Sequence, residues 1–168
     1  MCQPRGFQRS FDVEGERAVA SLETVDALDV AYRHFLAALT GGDVAAFLEC
    51  YSSEPGVVLI GTAPDEIFVG HAEIAAVAER VVPILHRTGL TFRPGLPSIA
   101  SAGEMGWVTD RTTLSAPGAA PQTLRVLATF RLEDDRWKVV AYSHSFGVPD
   151  EQVEVFRCLV TKADDRDG

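Results

Sequence analysis

Residues 121–147 read PQTLRVLATFRLEDDRWKVVAYSHSFG, in which apolar and polar residues alternate on both sides of Asp134-Asp135. Alternation of this kind is typical of β-strands, and the Asp pair predicts a two-residue hairpin turn between them. Another alternating run lies upstream, before Pro117-Gly118. We therefore predict an antiparallel meander with strands over 104–115, 121–133 and 136–147.

Helical spacing dominates the chain before the meander. Apolar residues recur at this spacing between Val25 and Leu39, which predicts an amphipathic helix. Asp43 is the predicted N-cap of a short second helix, and a third helix should begin near His71 and kink or end at Pro83. Helices followed by a meander indicate an α+β domain, whose bent antiparallel sheet wraps three N-terminal helices.

The length of 168 residues fits a single domain that encloses its own core. The N-terminal end shows no regular spacing of apolar residues, and the C-terminal end carries only one short amphipathic stretch. We therefore predict a mobile N-terminal arm over 1–17, a folded domain over 18–150, and a C-terminal helix and tail over 151–168.

Composition argues against several classes of partner and cofactor. The 15 Lys and Arg against 24 Asp and Glu give a net charge of −9, which disfavours binding to nucleic-acid phosphates. No apolar run approaches the roughly 20 residues of a membrane helix, so we expect no membrane partner. The widely spaced Cys2, Cys50 and Cys158 favour a reducing cytoplasm over a disulfide framework. The motifs HExxH, CxxC and GxGxxG are absent, so we expect neither a metal nor a cofactor.

Turn lengths assign the side chains of the meander to the two faces of the sheet, because successive strand residues point to opposite sides. The two-residue turn pairs Arg125 with His144, and a four-residue loop over 116–119 pairs Asp110 with Arg125. The more apolar face should pack on the helices, and it carries Trp107, Arg111, Phe130 and Ser143. The opposite face carries Asp110, Arg125, Tyr142 and His144.

This second face is too apolar for full contact with water, because Leu127, Val140, Tyr142 and Phe146 lie on it. A second copy of the chain covering the face would explain its composition. We therefore predict a homodimer through the outer face of the sheet, with an interface that includes Asp110, Arg125, Tyr142 and His144.

Several short segments carry a resemblance to a known family. They are Phe47-Leu48-Glu49-Cys50-Tyr51, the strand Gly56–Ile60, Val69-Gly70-His71, Gly106-Trp107-Val108, and Trp137-Lys138-Val139-Val140 leading to Gly147-Val148-Pro149. Over about residues 25–150 the chain resembles the SnoaL-like branch of the nuclear transport factor 2-like superfamily. The resemblance implies a cone, in which a bent sheet wraps a long helix and leaves a pocket at the open end, and it implies dimers across the outer sheet face.

The chain departs from catalytic members of this superfamily at two places. Isomerase-type relatives place a base carboxylate near the end of the first strand, where this chain has Ile60-Gly61-Thr62, and Asp65 follows only in the turn. Several relatives carry two histidines in the last strand, where this chain has Ala141 and Ser143. The resemblance therefore leaves catalysis open.

Two groups of side chains are candidates for a functional site. Asp110, Arg125 and His144 form a predicted row across adjacent strands, either an acid–base relay or a polar row inside the dimer interface. The catalytic candidates are Asp65, Asp110 and His144. The candidates for a ligand pocket, which could instead be packed core, are Tyr32, Phe47, Tyr51, Trp107, Arg111, Phe130 and Ser143.

Two functions remain open at this point. The first is a small-molecule-binding or accessory domain with a partly apolar pocket, which the missing base and the missing histidine pair favour. The alternative is a cofactor-independent isomerase, cyclase or dehydratase that acts on a polyketide-like or other small carbonyl compound.

Overall fold

The computed structural model describes residues 21–147 and residue 152. Three helices and seven strands follow one another within this part of the chain. They are α1 (Leu22–Gly41), α2 (Val44–Glu49), β1 (Val58–Ile60), β2 (Ile67–Val69), α3 (His71–Arg87), β3 (Thr91–Arg93), β4 (Ser98–Ala102), β5 (Met105–Ser115), β6 (Gln122–Glu133) and β7 (Arg136–Phe146). The predicted arm over 1–17 and the predicted C-terminal helix and tail over 151–168 lie outside the described residues, apart from residue 152.

The strands form one curved sheet with the order β2-β1-β7-β6-β5-β3, and β4 also pairs with β5. All neighbouring strands are antiparallel except β1 and β7, which are parallel. The three helices pack against one face of this sheet, and the core lies between them. The predicted α+β class, with a bent sheet around N-terminal helices, is confirmed.

Capping residues set the boundaries of the first two helices. The Ser21 hydroxyl accepts a hydrogen bond from the Thr24 backbone N–H (3.1 Å), and Gly42, with a φ of 85°, ends α1. The Asp43 carboxylate accepts from the Ala46 N–H at 3.1 Å, so the predicted N-cap of α2 is confirmed.

The first helix buries the stripe that its spacing predicts. Its fully or almost fully buried residues are Leu28, Tyr32, Phe35, Leu36 and Leu39. The Phe35 ring lies at the centre of the core, with ring centroids 5.4 Å from Phe47 and 4.7 Å from Tyr142. Aromatic packing therefore joins α1 to both α2 and the sheet.

The third helix does not end at Pro83 but continues to Arg87. Proline removes one backbone hydrogen bond, yet α3 buries Ile74, Val77 and Val82 before Pro83, and the partly buried Leu85 packs against the core after it. Tertiary packing of this apolar face outweighs the local penalty.

The Asp134-Asp135 hairpin forms as predicted. Both residues have a positive φ, 46° and 60°, and Glu133 pairs directly with Arg136 across the turn. Left-handed backbone at both central positions matches the twist of the flanking strands, and Asp tolerates it better than most residues.

The predicted register between β5 and β6 is wrong by one residue. The Ala116–Ala119 turn closes, with the Ala119 N–H donating to the Ala116 carbonyl (3.2 Å). The first β5–β6 pair next to the turn is Leu114 with Gln122. One residue therefore separates this pair from the turn on the β5 side, and two residues separate it on the β6 side. Asp110 therefore pairs with Val126 rather than with Arg125. Because side chains alternate along a strand, this single residue moves every side chain of β5 to the other face.

The predicted register between β6 and β7 holds near the hairpin and then fails. Phe130 pairs with Val139 as predicted, but Thr129 pairs with Ala141, so Val140 is the extra residue of a β-bulge. His144 consequently pairs with Val126 instead of Arg125. All side chains of β7 after the bulge lie on the face opposite to the predicted one.

These two shifts exchange several predicted positions between the faces. The inner face, which packs on the helices, carries Val108, Asp110, Thr112, Leu124, Val126, Ala128, Phe130, Val139, Tyr142 and His144. The outer face carries Trp107, Thr109, Arg111, Arg125, Leu127, Thr129, Ala141 and Ser143.

Candidate functional site

A cavity of about 200 Å³ lies between the helices and the inner face of the sheet. Its deep wall includes Phe35, Phe47 and Tyr142, whose side chains are almost completely buried. Its mouth lies where α3 and the end of β7 approach the β1–β2 turn, and the lining residues Val81 and Phe146 are partly exposed there. The cavity therefore runs from the aromatic core to the surface.

Two larger depressions, of about 400 and 610 Å³, are more open to solvent. One lies between α1 and the start of β7 and is lined by Val30, Cys50 and Lys138, among others. The other is lined by Leu96, Arg111 and other residues around the β3–β4 connection. Because small-molecule sites are lined mainly by apolar and aromatic side chains with a few polar groups, the lining rather than the size selects the 200 Å³ cavity as the candidate site.

Two polar side chains of β7 reach into this cavity from the sheet. The rings of Tyr142 and His144 lie 5.2 Å apart on the same face, which the Val140 bulge turns inward. The Tyr142 Oη and the His144 Nδ1 are both buried and make no hydrogen bond to any described residue. Buried polar atoms in proteins are nearly always paired, so two unpaired atoms on side chains that line one cavity are unusual.

The protonation states of these side chains follow from their burial. Burial lowers the pKa of His144, and the negative charge of Glu66 opposes that shift only in part. Burial also raises the pKa of Tyr142 well above its usual value. Near pH 7 the cavity therefore presents a neutral imidazole and a protonated phenol.

A carboxylate stands at the mouth of the cavity on the β1–β2 turn. Glu66 lines the cavity, and its Oε2 accepts a hydrogen bond from the Ala63 N–H at 2.9 Å. The Gly61 N–H donates to the Glu66 carbonyl at 2.8 Å, and a Cβ built on Gly61 would lie 2.8 Å from the Glu66 Cβ. Glycine at position 61 thus leaves the space that the Glu66 side chain occupies.

The SnoaL-like domain pattern matches residues 29–149, most of the chain. The chain belongs to the SnoaL-like family. No significant match was found among curated proteins.

Solved structures with the same fold include several relatives of this SnoaL-like chain. A nuclear transport factor 2-like protein of unknown function from Pseudomonas putida has a TM-score of 0.65 at 14% identity, covering 79% of this chain and 92% of that one. A proposed dehydratase from Streptomyces avermitilis has a TM-score of 0.61 at 17% identity, with 74% and 96% covered. A ketosteroid isomerase-like protein from Erwinia carotovora has a TM-score of 0.59 at 20% identity, with 77% and 100% covered. At these identities the likeness shows the fold alone.

Within this SnoaL-like fold, one of the seven predicted pocket residues lines the cavity. Phe47 lines it, whereas Tyr32, Tyr51 and Phe130 are buried but do not line it. The placement of Trp107, Arg111 and Ser143 in the pocket is wrong, because the register shifts put these side chains on the outer face.

The predicted catalytic candidates are also separated. His144 lies in the cavity, but Asp65 is exposed and does not line it, and its neighbour Glu66 is the residue that does. Sequence reasoning missed Glu66, although the pairing of Ile60 with Ile67 in a hairpin places position 66 opposite Gly61.

The predicted row of Asp110, Arg125 and His144 does not form. Arg125 lies on the outer face, where its Nη2 donates to the Phe146 carbonyl (3.3 Å). Asp110 and His144 share the inner face with Val126 between them, so neither of them, nor Tyr142, belongs to the outer face on which the dimer interface was predicted. Of the four predicted interface residues, Arg125 alone is on that face.

The Asp110 carboxylate instead joins separate parts of the fold by hydrogen bonds. Its Oδ2 accepts hydrogen bonds from the Thr112 hydroxyl (2.7 Å), the Tyr32 hydroxyl (3.1 Å) and the Gly95 N–H (3.1 Å). Because Gly95 belongs to the β3–β4 connection, this buried carboxylate ties that connection and α1 to β5.

A metal site, a reactive thiol and a membrane-spanning helix are three further features relevant to function. Within the described part of the chain, no group of three or more His, Cys, Asp or Glu is placed to hold a metal ion. Burial raises the pKa of the Cys50 thiol to about 11, so it remains protonated at neutral pH. No helix in the described residues has the length and apolar character needed to cross a membrane.

We expect the stability of the protein to fall as the pH drops from 7.5 to 5. The pKa of His144 is lower in the folded than in the unfolded chain, so the unfolded chain takes up the proton first and is stabilised relative to the folded chain. His144→Phe should flatten this dependence, measured as urea unfolding free energy at each pH. The control His34→Phe, at an exposed position of α1, should keep the wild-type slope.

The unfolding free energy is compared only down to pH 5, because below that pH the carboxyl of Glu133 also contributes to its pH dependence. Hydrogen bonds from Ser52 and Ser53 lower the pKa of Glu133, so its share of the stability is lost only at more acid pH. An unchanged slope in His144→Phe between pH 7.5 and 5 would contradict the assignment.

Proposed function

We propose that the chain binds a small, largely apolar molecule in the 200 Å³ cavity, as a binding or accessory protein. One observation carries the proposal: a mainly apolar cavity is lined by Tyr142 and His144, whose Oη and Nδ1 have no partner among the described residues. A ligand with an apolar body and a single hydroxyl or carbonyl group satisfies both features.

Titration with 2-phenylethanol tests this proposal. We expect saturable amide shifts in NMR spectra at residues around the cavity, such as Phe68 and Phe92, and none at Trp107 on the outer face. Tyr142→Phe should weaken binding about fivefold, since one hydrogen bond is worth roughly 1 kcal/mol. Shifts that do not saturate, or that map to the outer face, would refute the proposal.

A second candidate function is proton transfer next to a carbonyl group. It is favoured by the neutral imidazole of His144 beside the protonated phenol of Tyr142 in the same cavity. The imidazole would accept a proton from the carbon beside the carbonyl, and the phenol would donate a hydrogen bond to the enolate oxygen. The relatives described as a proposed dehydratase and as ketosteroid isomerase-like are consistent with such chemistry.

Hydrogen–deuterium exchange in 1-phenylpropan-2-one separates this candidate from simple binding. The protein in D₂O should exchange the methylene protons faster than buffer alone, and His144→Phe should remove the excess rate. Exchange at the buffer rate, with binding intact, would exclude proton transfer on this compound and leave the binding function.

We also propose that the chain forms a homodimer through the outer face of its sheet. This face is apolar and accessible, with partly exposed side chains that come from four strands: Ile60, Ile67, Val69, Trp107 and Leu127. Exposed apolar surface on this scale is typical of an interface. Arg125 remains a proposed interface residue, and a cytoplasmic location remains the proposal drawn from the cysteines.

Leu127→Glu tests the homodimer. Leu127 is 48% exposed at the centre of the outer face, so a carboxylate there should convert the dimer to a monomer in sedimentation experiments. The control Ile84→Glu changes a residue of α3 with 47% exposure and should leave the dimer intact. A wild-type protein that sediments as a monomer would contradict the proposal.

A further inference from the structure

We propose that the natural ligand of the cavity carries a positive charge: an amine attached to an apolar body, with the ammonium group at the mouth beside Glu66. The inference rests on the proposed binding function and specifies the chemical class of the ligand. It is carried by the charge and the aromatic composition of the cavity walls.

Among the residues that the structure describes, the charge of the cavity wall has one source. Glu66 is the only acidic side chain among the eighteen lining residues, and none of them is Lys or Arg. In the part of the chain that the structure describes, no basic group lies within 4.0 Å of the Glu66 carboxylate. Its Oε2 accepts from the Ala63 N–H, and its Oε1 has no described hydrogen-bond donor. An ammonium group would supply the missing counter-charge.

Aromatic rings near the mouth add a second attraction for a cation. Phe68, Phe92 and Phe146 line the cavity together with Tyr142 and His144, and the Phe92 and His144 ring centroids lie 6.3 Å apart. The faces of phenyl and phenol rings attract ammonium groups, by more when the site is partly desolvated. His144 does not compete, because burial lowers its pKa and leaves it neutral at pH 7.

The same wall disfavours an anionic ligand. A carboxylate in the cavity would meet the like charge of Glu66 and would find no cationic side chain on the wall. The arginines of the central strands, Arg111 and Arg125, lie on the opposite face of the sheet. Removing a carboxylate from water without a partner is costly, so acids should be excluded.

The orientation of the ligand follows from the difference between the mouth and the deep end of the cavity. Glu66 is only half-buried, so an ammonium group beside it keeps part of its hydration. The deep wall around Phe35 and Phe47 carries no charged side chain among the described residues and suits the hydrocarbon end. A cation at the deep end would lose its water with no charged partner.

Three probes of similar size and different charge test the proposal: 2-phenylethylamine, 2-phenylethanol and phenylacetate. We expect the amine to bind about tenfold tighter than the alcohol, and phenylacetate at least tenfold weaker than the alcohol, by NMR titration at pH 7.5. Added salt should weaken binding of the amine and leave the alcohol unchanged, which requires no variant.

Glu66→Gln is the decisive variant, because the amide oxygen still accepts from the Ala63 N–H while the charge is removed. It should abolish the preference of the wild-type protein for the amine over the alcohol. Asp65→Asn is the matched control: it removes the same charge from the neighbouring exposed residue and should keep the preference.

The outcomes separate the two proposals. Absence of saturable binding by 2-phenylethanol would overturn the binding function itself. Binding of the alcohol with no preference for the amine, or a preference that survives Glu66→Gln, would overturn the charge assignment and leave the binding function standing.

Discussion

Val81→Trp is expected to abolish detectable binding of 2-phenylethanol, a loss of about 100-fold or roughly 3 kcal/mol. Val81 lies on α3 at the mouth of the cavity and is 36% exposed, so an indole ring there can enter the cavity without displacing the core. The fold should therefore persist, checked by the dispersion of the NMR spectrum. Affinity is measured by titration.

Val30→Trp is the matched control for this prediction. It makes the same change on α1, at a residue that is 66% exposed and lines the 400 Å³ depression. Binding should remain at the wild-type level. The reverse pattern, with binding lost in Val30→Trp and kept in Val81→Trp, would place the ligand in the depression and contradict the choice of site.

Asp110→Ala is expected to lower the free energy of unfolding by about 3 kcal/mol, because it removes the acceptor shared by two buried hydroxyls and one backbone N–H. Those donors are the hydroxyls of Tyr32 and Thr112 and the N–H of Gly95. Tyr32→Phe should cost less, about 1 kcal/mol, since it removes one hydroxyl, which contacts both Asp110 and Thr112, while Asp110 keeps its other two donors. Urea denaturation measures both.

The two substitutions should not be additive, because they remove members of one network. Asp26→Ala, on the exposed side of α1, is the control and should change stability little. Asp110 does not line the cavity, so affinity for 2-phenylethanol should survive in Asp110→Ala. A loss of stability below about 1 kcal/mol would show that the network contributes less than its geometry implies.

The features that the sequence predicts correctly are those decided by neighbouring residues. The buried stripe of α1 follows from its spacing, the Asp43 cap from one side chain, and the Asp134-Asp135 turn from two residues that tolerate left-handed backbone. The family resemblance adds the curved sheet. The helix stripe, the cap and the turn each depend on interactions within a few positions of the chain, whereas the sheet joins distant segments.

The candidate site was predicted less well because it depends on strand register. One residue beyond the Ala116–Ala119 turn places Trp107 and Arg111 outside, and the Val140 bulge brings Tyr142 and His144 inside. Neither feature can be derived from the number of residues in a turn. The adjacent Val139 and Val140 do interrupt the alternation of β7, which is the one local sign of the bulge.

Because of the Val140 bulge, the composition of the cavity wall depends on the number of residues in β7 as well as on their identity. Deleting Val140 would turn the end of β7 over, so that Ala141 and Ser143 would line the cavity while Tyr142 and His144 met solvent or a neighbouring molecule. A one-codon deletion could thus convert the polar lining into a nearly inert one without altering any remaining side chain.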